Sequence, residues 1–121
     1  MILQRCQQVE WQLMGSEAVI AEISQTQDLD RQARLRSLVD LATRFVQVDE
    51  GIEMRSAELI QQGFTVFDGL HLACAESGGA DVFLTTDDRL HRRAARLVDV
   101  LQVRVENPVT WLLEVTADAD E

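Results

Sequence analysis

The segment that most constrains the fold is "DVFLTT", residues 81–86, an almost continuous apolar run with a pair of aspartates directly behind it. Strands that are apolar on both faces are typical of parallel sheets covered by helices. Short strand-like segments alternate with helical ones along the rest of the chain. This alternation predicts an α/β fold with layers of helices around a mainly parallel sheet.

The predicted elements follow from periodicity and from start and stop signals. The predicted strands are "WQLMGS", "FVQV", "DVFLTT" and "VRV". The predicted helices are "SEAVIAEISQ", "DLDRQARLRSLVDLATR", "DEGIEMRSAELIQQG", "FDGLHLACAESGG", "DDRLHRRAARL" and "PVTWLLEV".

Length and composition are those of one globular domain. The chain has 121 residues, of which 46% are hydrophobic and 26% charged, so we expect a single domain over residues 1–116 and a flexible acidic tail over 117–121. No apolar run approaches the roughly 18 residues that a membrane span requires, and "MILQRCQQ" does not have the pattern of a signal peptide. Cys6 and Cys74 lack metal-ligand spacing and are predicted to be reduced thiols, which favours a cytoplasmic protein without membrane partners.

Charge argues against broad electrostatic binding to nucleic acid, because the net charge is -10 and the average field repels phosphate. All of the basic residues are nevertheless arginines, and four of them recur at the spacing of one helix face. These are Arg89, Arg92, Arg93 and Arg96. The stripe could bind phosphate groups, or it could be a solvated face that offsets neighbouring acids such as Glu76 or Asp99, and the sequence leaves both interpretations open.

Position selects a few of the many carboxylates as candidate site residues. Asp87 and Asp88 follow the buried strand, at the carboxyl end where parallel sheets carry their functional groups. Asp68 begins a helix after an apolar segment, and Glu22 lies beside the apolar stripe of its helix. The alternative is structural, because Asp68 and Asp87 are also good helix N-caps and Glu22 could lie at a helix edge.

Three segments, "SEAVIAEIS", "FDGLHLACAESGG" and "DVFLTTDDRL", occur in an order that resembles the PIN domain family, the fold of many toxin-type ribonucleases. The resemblance implies a three-layer α/β fold with the sheet order 3-2-1-4-5 and acids at the carboxyl edge. It implies that Glu22, Asp68 and Asp87 are metal ligands and catalytic residues. Thr85, Asp88 and His71 are candidates for supporting roles beside them, and the four arginines are candidates for binding phosphate.

The same resemblance implies a cofactor, a reaction and partners. Hard divalent ions such as Mg²⁺ or Mn²⁺ prefer oxygen ligands, and they activate water and neutralise charge on a phosphate. The implied function is metal-dependent hydrolysis of RNA, in a protein that could be the toxin of a toxin–antitoxin pair. An antitoxin protein would then block the acidic edge.

One departure from the family bears on both fold and function. PIN domains open with a central strand that carries an aspartate, and nothing resembling it precedes "MILQRC". Its loss would leave unpaired backbone on "WQLMG" and "DVFLTT". These edges could be covered by rearrangement, by a second copy of the chain or by a strand from elsewhere. A further interpretation is that the chain is shortened at its N-terminus. We therefore predict a homodimer. The alternative function is a catalytically defective PIN-like module that acts through dimerisation or partner binding.

Overall fold

The structure is a computed structural model that describes residues 14–25 and 27–119. Within these ranges the elements follow one another as β1 Met14–Ser16, α1 Glu17–Gln25, α2 Leu29–Leu41, β2 Arg44–Val46, α3 Glu50–Gln61, α4 Val66–Ser77, β3 Val82–Leu84, α5 Asp88–Arg96, β4 Arg104–Glu106 and α6 Pro108–Ala119. Each predicted strand and helix therefore has a counterpart, and the predicted α/β class is confirmed. The first three residues of the predicted strand "WQLMGS" lie outside the described residues.

The strands pair as two separate two-stranded parallel sheets. Met14 of β1 lies opposite Arg44 of β2, and Val82 of β3 lies opposite Arg104 of β4. In the part of the chain that the structure describes, no strand is hydrogen-bonded to both β1 and β3. The two pairs are those expected on either side of the central strand in the order 3-2-1-4-5.

The strand β3 is less covered than its sequence predicts. All three of its residues are only half-buried, whereas an apolar run of this kind indicated a strand shielded on both faces. A central strand pairs on both edges and is covered by its neighbours, and β3 has one partner, β4, among the described strands. The segment therefore forms a strand as predicted, and its greater exposure goes with the lack of a second neighbour among the described strands.

The core lies between the helices and the two sheets. Leu59 of α3 and Leu72 and Cys74 of α4 are the largest fully buried side chains, and they belong to one hydrophobic cluster that extends to Leu90 of α5. The end of α4 lies close to the first sheet, since a β-carbon added at Gly78 would come within 2.7 Å of the Met14 sulfur. Phe83 and Val105 of the second sheet pack against the same cluster.

An ion pair joins α3, α4 and the segment before β4. Arg55 Nε donates to Glu76 Oε1 at 2.7 Å, and an Nη2–H of Arg55 donates to the Val100 carbonyl at 2.6 Å. Glu76 Oε2 also accepts from the backbone N–H of Gln102 at 2.8 Å. The Glu76 side chain is only 4% exposed, so these bonds replace its lost hydration.

The turn between α3 and α4 adopts a conformation that favours glycine. Gly63 has a φ of 110°, a value that side chains with a β-carbon rarely adopt. Arg93 of α5 lies against this turn, and one of its Nη1–H groups donates to the Gln62 carbonyl at 3.4 Å. A β-carbon at Gly63 would collide with the Arg93 guanidinium.

The helices have the dimensions of a globular fold. None of those in the described ranges has the length and apolar character needed to cross a membrane.

Candidate functional site

Asp87 lies at the carboxyl end of β3, in the turn that leads into α5. Its Oδ1 accepts hydrogen bonds from the backbone N–H groups of Arg89, at 2.9 Å, and Leu90, at 3.2 Å. Asp87 is therefore the N-cap of α5, as the structural alternative predicted. Its second oxygen, Oδ2, accepts no hydrogen bond from any described residue, so the capping role leaves one oxygen available to a ligand.

Thr85 fixes the turn that presents Asp87. The Thr85 hydroxyl oxygen accepts a hydrogen bond from the Asp87 backbone N–H at 3.0 Å. The Thr85 backbone N–H donates to the Glu106 carbonyl at 3.0 Å, which continues the pairing of β3 with β4. Thr85 thus connects the position of Asp87 to the sheet and does not itself point to a catalytic role.

Asp68 lies in the first turn of α4, but it does not cap this helix. The N-cap is Thr65, whose hydroxyl oxygen accepts from the Asp68 backbone N–H at 3.2 Å. The prediction that Asp68 is a good N-cap is therefore wrong. Its half-buried carboxylate forms no hydrogen bond or ion pair with the described residues, and this leaves both oxygens available.

Thr65 is the residue that sequence reasoning missed. The spacing "TVFD" places a threonine three positions before an acidic residue, which is the pattern of a capping box. The helix predicted from Phe67 hides that pattern, because α4 begins one residue earlier, at Val66, with Thr65 as its N-cap. Because the neutral side chain of Thr65 caps the helix, the Asp68 carboxylate is not needed as a cap and remains available for a functional role.

The structure places the backbone of Glu22 within α1, which contacts α4. The side chain of Glu22 lies outside the described residues, so its place beside Asp68 or Asp87 stays a prediction.

His71 and Asp88 were predicted as supporting residues. His71 lies one turn after Asp68 on α4, and its ring centroid is 6.3 Å from that of Phe83 in β3, at an angle of 48°. This contact brings the helix of Asp68 next to the strand that leads to Asp87. Asp88 is the first residue of α5 and is exposed.

The donor chemistry of these acids fits a hard divalent cation, since carboxylate oxygens are the ligands that Mg²⁺ and Mn²⁺ prefer. Within residues 14–25 and 27–119, no group of three His, Cys, Asp or Glu side chains is arranged to hold a metal ion. Of the three predicted ligands, Asp68 and Asp87 have described side chains, and each has at least one oxygen that accepts no hydrogen bond from a described residue.

The arginines of α5 do not all have the same environment. Arg89, Arg92 and Arg96 are exposed and form no ion pair with a described carboxylate, although Arg92 Nε donates to the Asp88 carbonyl at 3.3 Å. Arg93 contacts the Gly63 turn. Glu76, one of the acids whose charge a solvated arginine stripe would offset, pairs instead with Arg55.

Comparison with known proteins gives a family for this chain. The family model described as PIN domain matches residues 9–97, a span that contains Glu22, Asp68, Asp87 and the whole of α5. A search among curated proteins found no match. PIN domains generally use divalent metal ions. The match covers more than half of the chain, so the chain belongs to the PIN domain family, within the nuclease and ribonuclease superfamily.

Proposed function

We propose that this protein is a metal-dependent ribonuclease that hydrolyses RNA phosphodiester bonds. The observation that carries the proposal is the half-buried Asp68 carboxylate, which lacks a partner among the described residues. Both of its oxygens are therefore available to a ligand, and carboxylate oxygens are the ligands that Mg²⁺ and Mn²⁺ prefer. Membership of the PIN domain family supports a cation site at this position.

The residues that would hold the ion are Asp68, Asp87 and, by resemblance, Glu22. When bound, Mg²⁺ or Mn²⁺ supplies an activated water and neutralises charge on the phosphate. Asp87 needs a fixed position for this purpose, and it has one, because two backbone N–H groups hold its Oδ1. Thr85 fixes the backbone of the same turn.

RNA is the proposed substrate, and an antitoxin protein is the proposed inhibitor if the chain acts as a toxin. Both classes of partner occur in the family. Cys74 is a buried free thiol, which supports the proposal that the protein works in the reducing cytoplasm.

Cleavage of a generic single-stranded RNA tests the proposal. Wild type is assayed with Mg²⁺ or Mn²⁺ and with EDTA, beside Asp68→Asn, Asp87→Asn and Asp81→Asn. Asp81 is the matched control because it is an exposed aspartate at the opposite end of the same strand as Asp87. Metal-dependent cleavage that the first two variants lose and Asp81→Asn retains would support the nuclease. Equal activity in all four proteins, or none in wild type, would refute it.

The second candidate is a PIN-like module that acts through dimerisation or partner binding. Its support is the separation of the strands into two two-stranded sheets, which are marginally stable without further pairing and expose strand edges. Sedimentation velocity over a range of concentrations tests this candidate. A species of twice the 13.6 kDa chain mass, formed equally by wild type and Asp87→Asn without any cleavage activity, would favour it over the nuclease.

A further inference from the structure

We infer that Arg89, Arg92 and Arg96 form a phosphate-binding surface that holds the RNA backbone along α5, starting beside Asp87. We call these three residues the arginine face. The inference rests on the proposed function, because it takes RNA as the substrate, and it assigns the surface that would bind this substrate outside the acidic edge.

The geometry of α5 places the three guanidinium groups on one side of the helix. Leu90 and Ala94 are its buried residues, and positions 89, 92 and 96 lie together on a different side at the spacing of helical neighbours. Successive α-carbons rise by about 1.5 Å, so residues 92 and 96 are separated by about 6 Å along the axis. The face therefore extends away from the Asp87 cap along the helix.

None of the guanidinium groups of the arginine face forms an ion pair within the described part of the chain. Arg55 pairs with two carboxylates, those of Glu58 and Glu76, and Arg104 also pairs with two. The arginine face has no such partner although the net charge is -10. Like charges one turn apart disfavour a helix, so this arrangement has a cost that a bound polyanion would remove.

Arg93 does not belong to the face, although the sequence spacing includes it. Its guanidinium lies against Gly63 and donates to the Gln62 carbonyl. This contact joins α5 to the α3–α4 turn, so Arg93 has a structural role. We therefore do not expect Arg93 to bind phosphate, although it carries the same charge on the same helix.

A polyanion fits this surface better than an acidic protein does. Protein interfaces have apolar centres, and none of the large exposed hydrophobic side chains of the described residues lies within α5. Arginine binds phosphate through two parallel hydrogen bonds. Contacts of this kind to the backbone position a nucleic acid without reading its sequence, so we expect the face to bind RNA with little sequence preference.

The test is binding of a labelled single-stranded RNA to the full chain in EDTA, measured at several salt concentrations. For single strands, each lost phosphate contact reduces the slope of log K against log salt by about 0.7. The Arg92→Gln/Arg96→Gln variant should therefore lose about 1.4 from the slope. The Arg34→Gln/Arg36→Gln variant removes the same charge from exposed positions on α2 and should bind like wild type.

Two further variants keep the result interpretable. Arg92→Lys/Arg96→Lys preserves charge and should retain most of the slope, and Arg89→Gln alone should lose about 0.7. An unchanged slope in Arg92→Gln/Arg96→Gln, an equal loss in the α2 control, or tighter binding of poly-glutamate than of RNA would overturn the inference. The binding assay contains no divalent ion and therefore does not depend on cleavage. If the face binds RNA as expected but the wild type does not cleave RNA in the separate assay with Mg²⁺ or Mn²⁺, only the nuclease proposal is refuted. Cleavage by a protein whose salt slope does not depend on the face would refute only this inference.

Discussion

The hydroxyl oxygen of Thr65 accepts a hydrogen bond from the backbone N–H of Asp68 at 3.2 Å. Because Thr65 caps α4, the Asp68 carboxylate is not needed as a cap. Thr65 has the extended backbone of an N-cap, with φ -68° and ψ 167°, and Asp68 follows three residues later inside the helix. Asp87 differs, because the same carboxylate both caps α5 and lies at the candidate site.

The Thr65–Asp68 arrangement predicts different effects for substitutions three residues apart. Thr65→Ala removes the cap and should lower the free energy of unfolding by about 1 kcal/mol. Asp68→Asn removes no bond to a described residue and should stay within about 0.5 kcal/mol of wild type. Urea unfolding followed by circular dichroism measures both. A loss in Asp68→Asn as large as that in Thr65→Ala would show that the carboxylate has a structural partner.

At Asp87 the two roles can be separated by the choice of substitution. Asparagine caps helices about as well as aspartate, whereas alanine does not. We therefore expect Asp87→Asn to keep the stability of wild type and Asp87→Ala to lose about 1 kcal/mol. Both should lose metal-dependent RNA cleavage. Thermal unfolding and the cleavage assay on the same preparations decide the matter, and a similar loss of stability in the two variants would contradict the capping geometry.

The element order was predictable from sequence, because each helix and strand has its own periodicity and its own stop signals. Gly63 is an example, since a glycine after an amphipathic run indicates a helix end and the structure gives it a positive φ. The capping difference between Asp68 and Asp87 was harder to predict. Both are aspartates at helix starts, and the signal that distinguishes them is the threonine three residues before Asp68, which the backbone angles at Thr65 confirm as the N-cap of α4.

Contacts between distant residues could not be predicted in this way. Arg55 and Glu76 are 21 residues apart, and nothing in the local sequence of either indicates the other. That pair nevertheless decides how the arginine face is interpreted, because Glu76 is occupied by Arg55 and does not offset the charge of α5. The division of the strands into two sheets also depends on long-range pairing, and only the resemblance suggested it.

Breaking the Arg55–Glu76 pair should be strongly destabilising. Hydrogen bonding to the Glu76 carboxylate raises the pKa of Arg55, and removing Arg55 leaves a carboxylate that is 4% exposed with one remaining bond, from the Gln102 N–H. We expect Arg55→Met to cost about 3 kcal/mol. Arg55→Met/Glu76→Leu should recover most of that loss, since it buries no unpaired charge.

Arg104 is the matched control for that experiment. Its ion pair with Glu114 is about half exposed on both sides, and exposed pairs of this kind add little to stability. Urea unfolding of Arg104→Met should therefore give a curve close to that of wild type. Equal losses of unfolding free energy in Arg104→Met and Arg55→Met would show that the burial of Glu76 is not the reason why the Arg55–Glu76 pair stabilises the fold.

The final prediction concerns Cys74 and alkaline pH. Burial raises the pKa of the Cys74 thiol above its ordinary value, and hydrogen bonding with Ser16 only partly opposes this. A group whose pKa is higher in the folded state contributes stability that is complete below the unfolded pKa and is lost as the pH rises. Because the unfolded thiol has a pKa of about 8.5, the free energy of unfolding should fall from about that pH upward.

The chain is well suited to this measurement, since it contains no lysine and no tyrosine and Cys6 can be removed by Cys6→Ser. Urea unfolding of Cys6→Ser between pH 7.5 and pH 10 should show the alkaline loss, about 1.4 kcal/mol for each unit by which folding raises the pKa. Cys6→Ser/Cys74→Ala should show a flatter profile in the same range. Native Cys74 should also react slowly with iodoacetamide, because the reactive species is the thiolate. Identical pH profiles in the two proteins, or alkylation of native Cys74 as fast as that of the urea-unfolded chain, would contradict a buried neutral thiol.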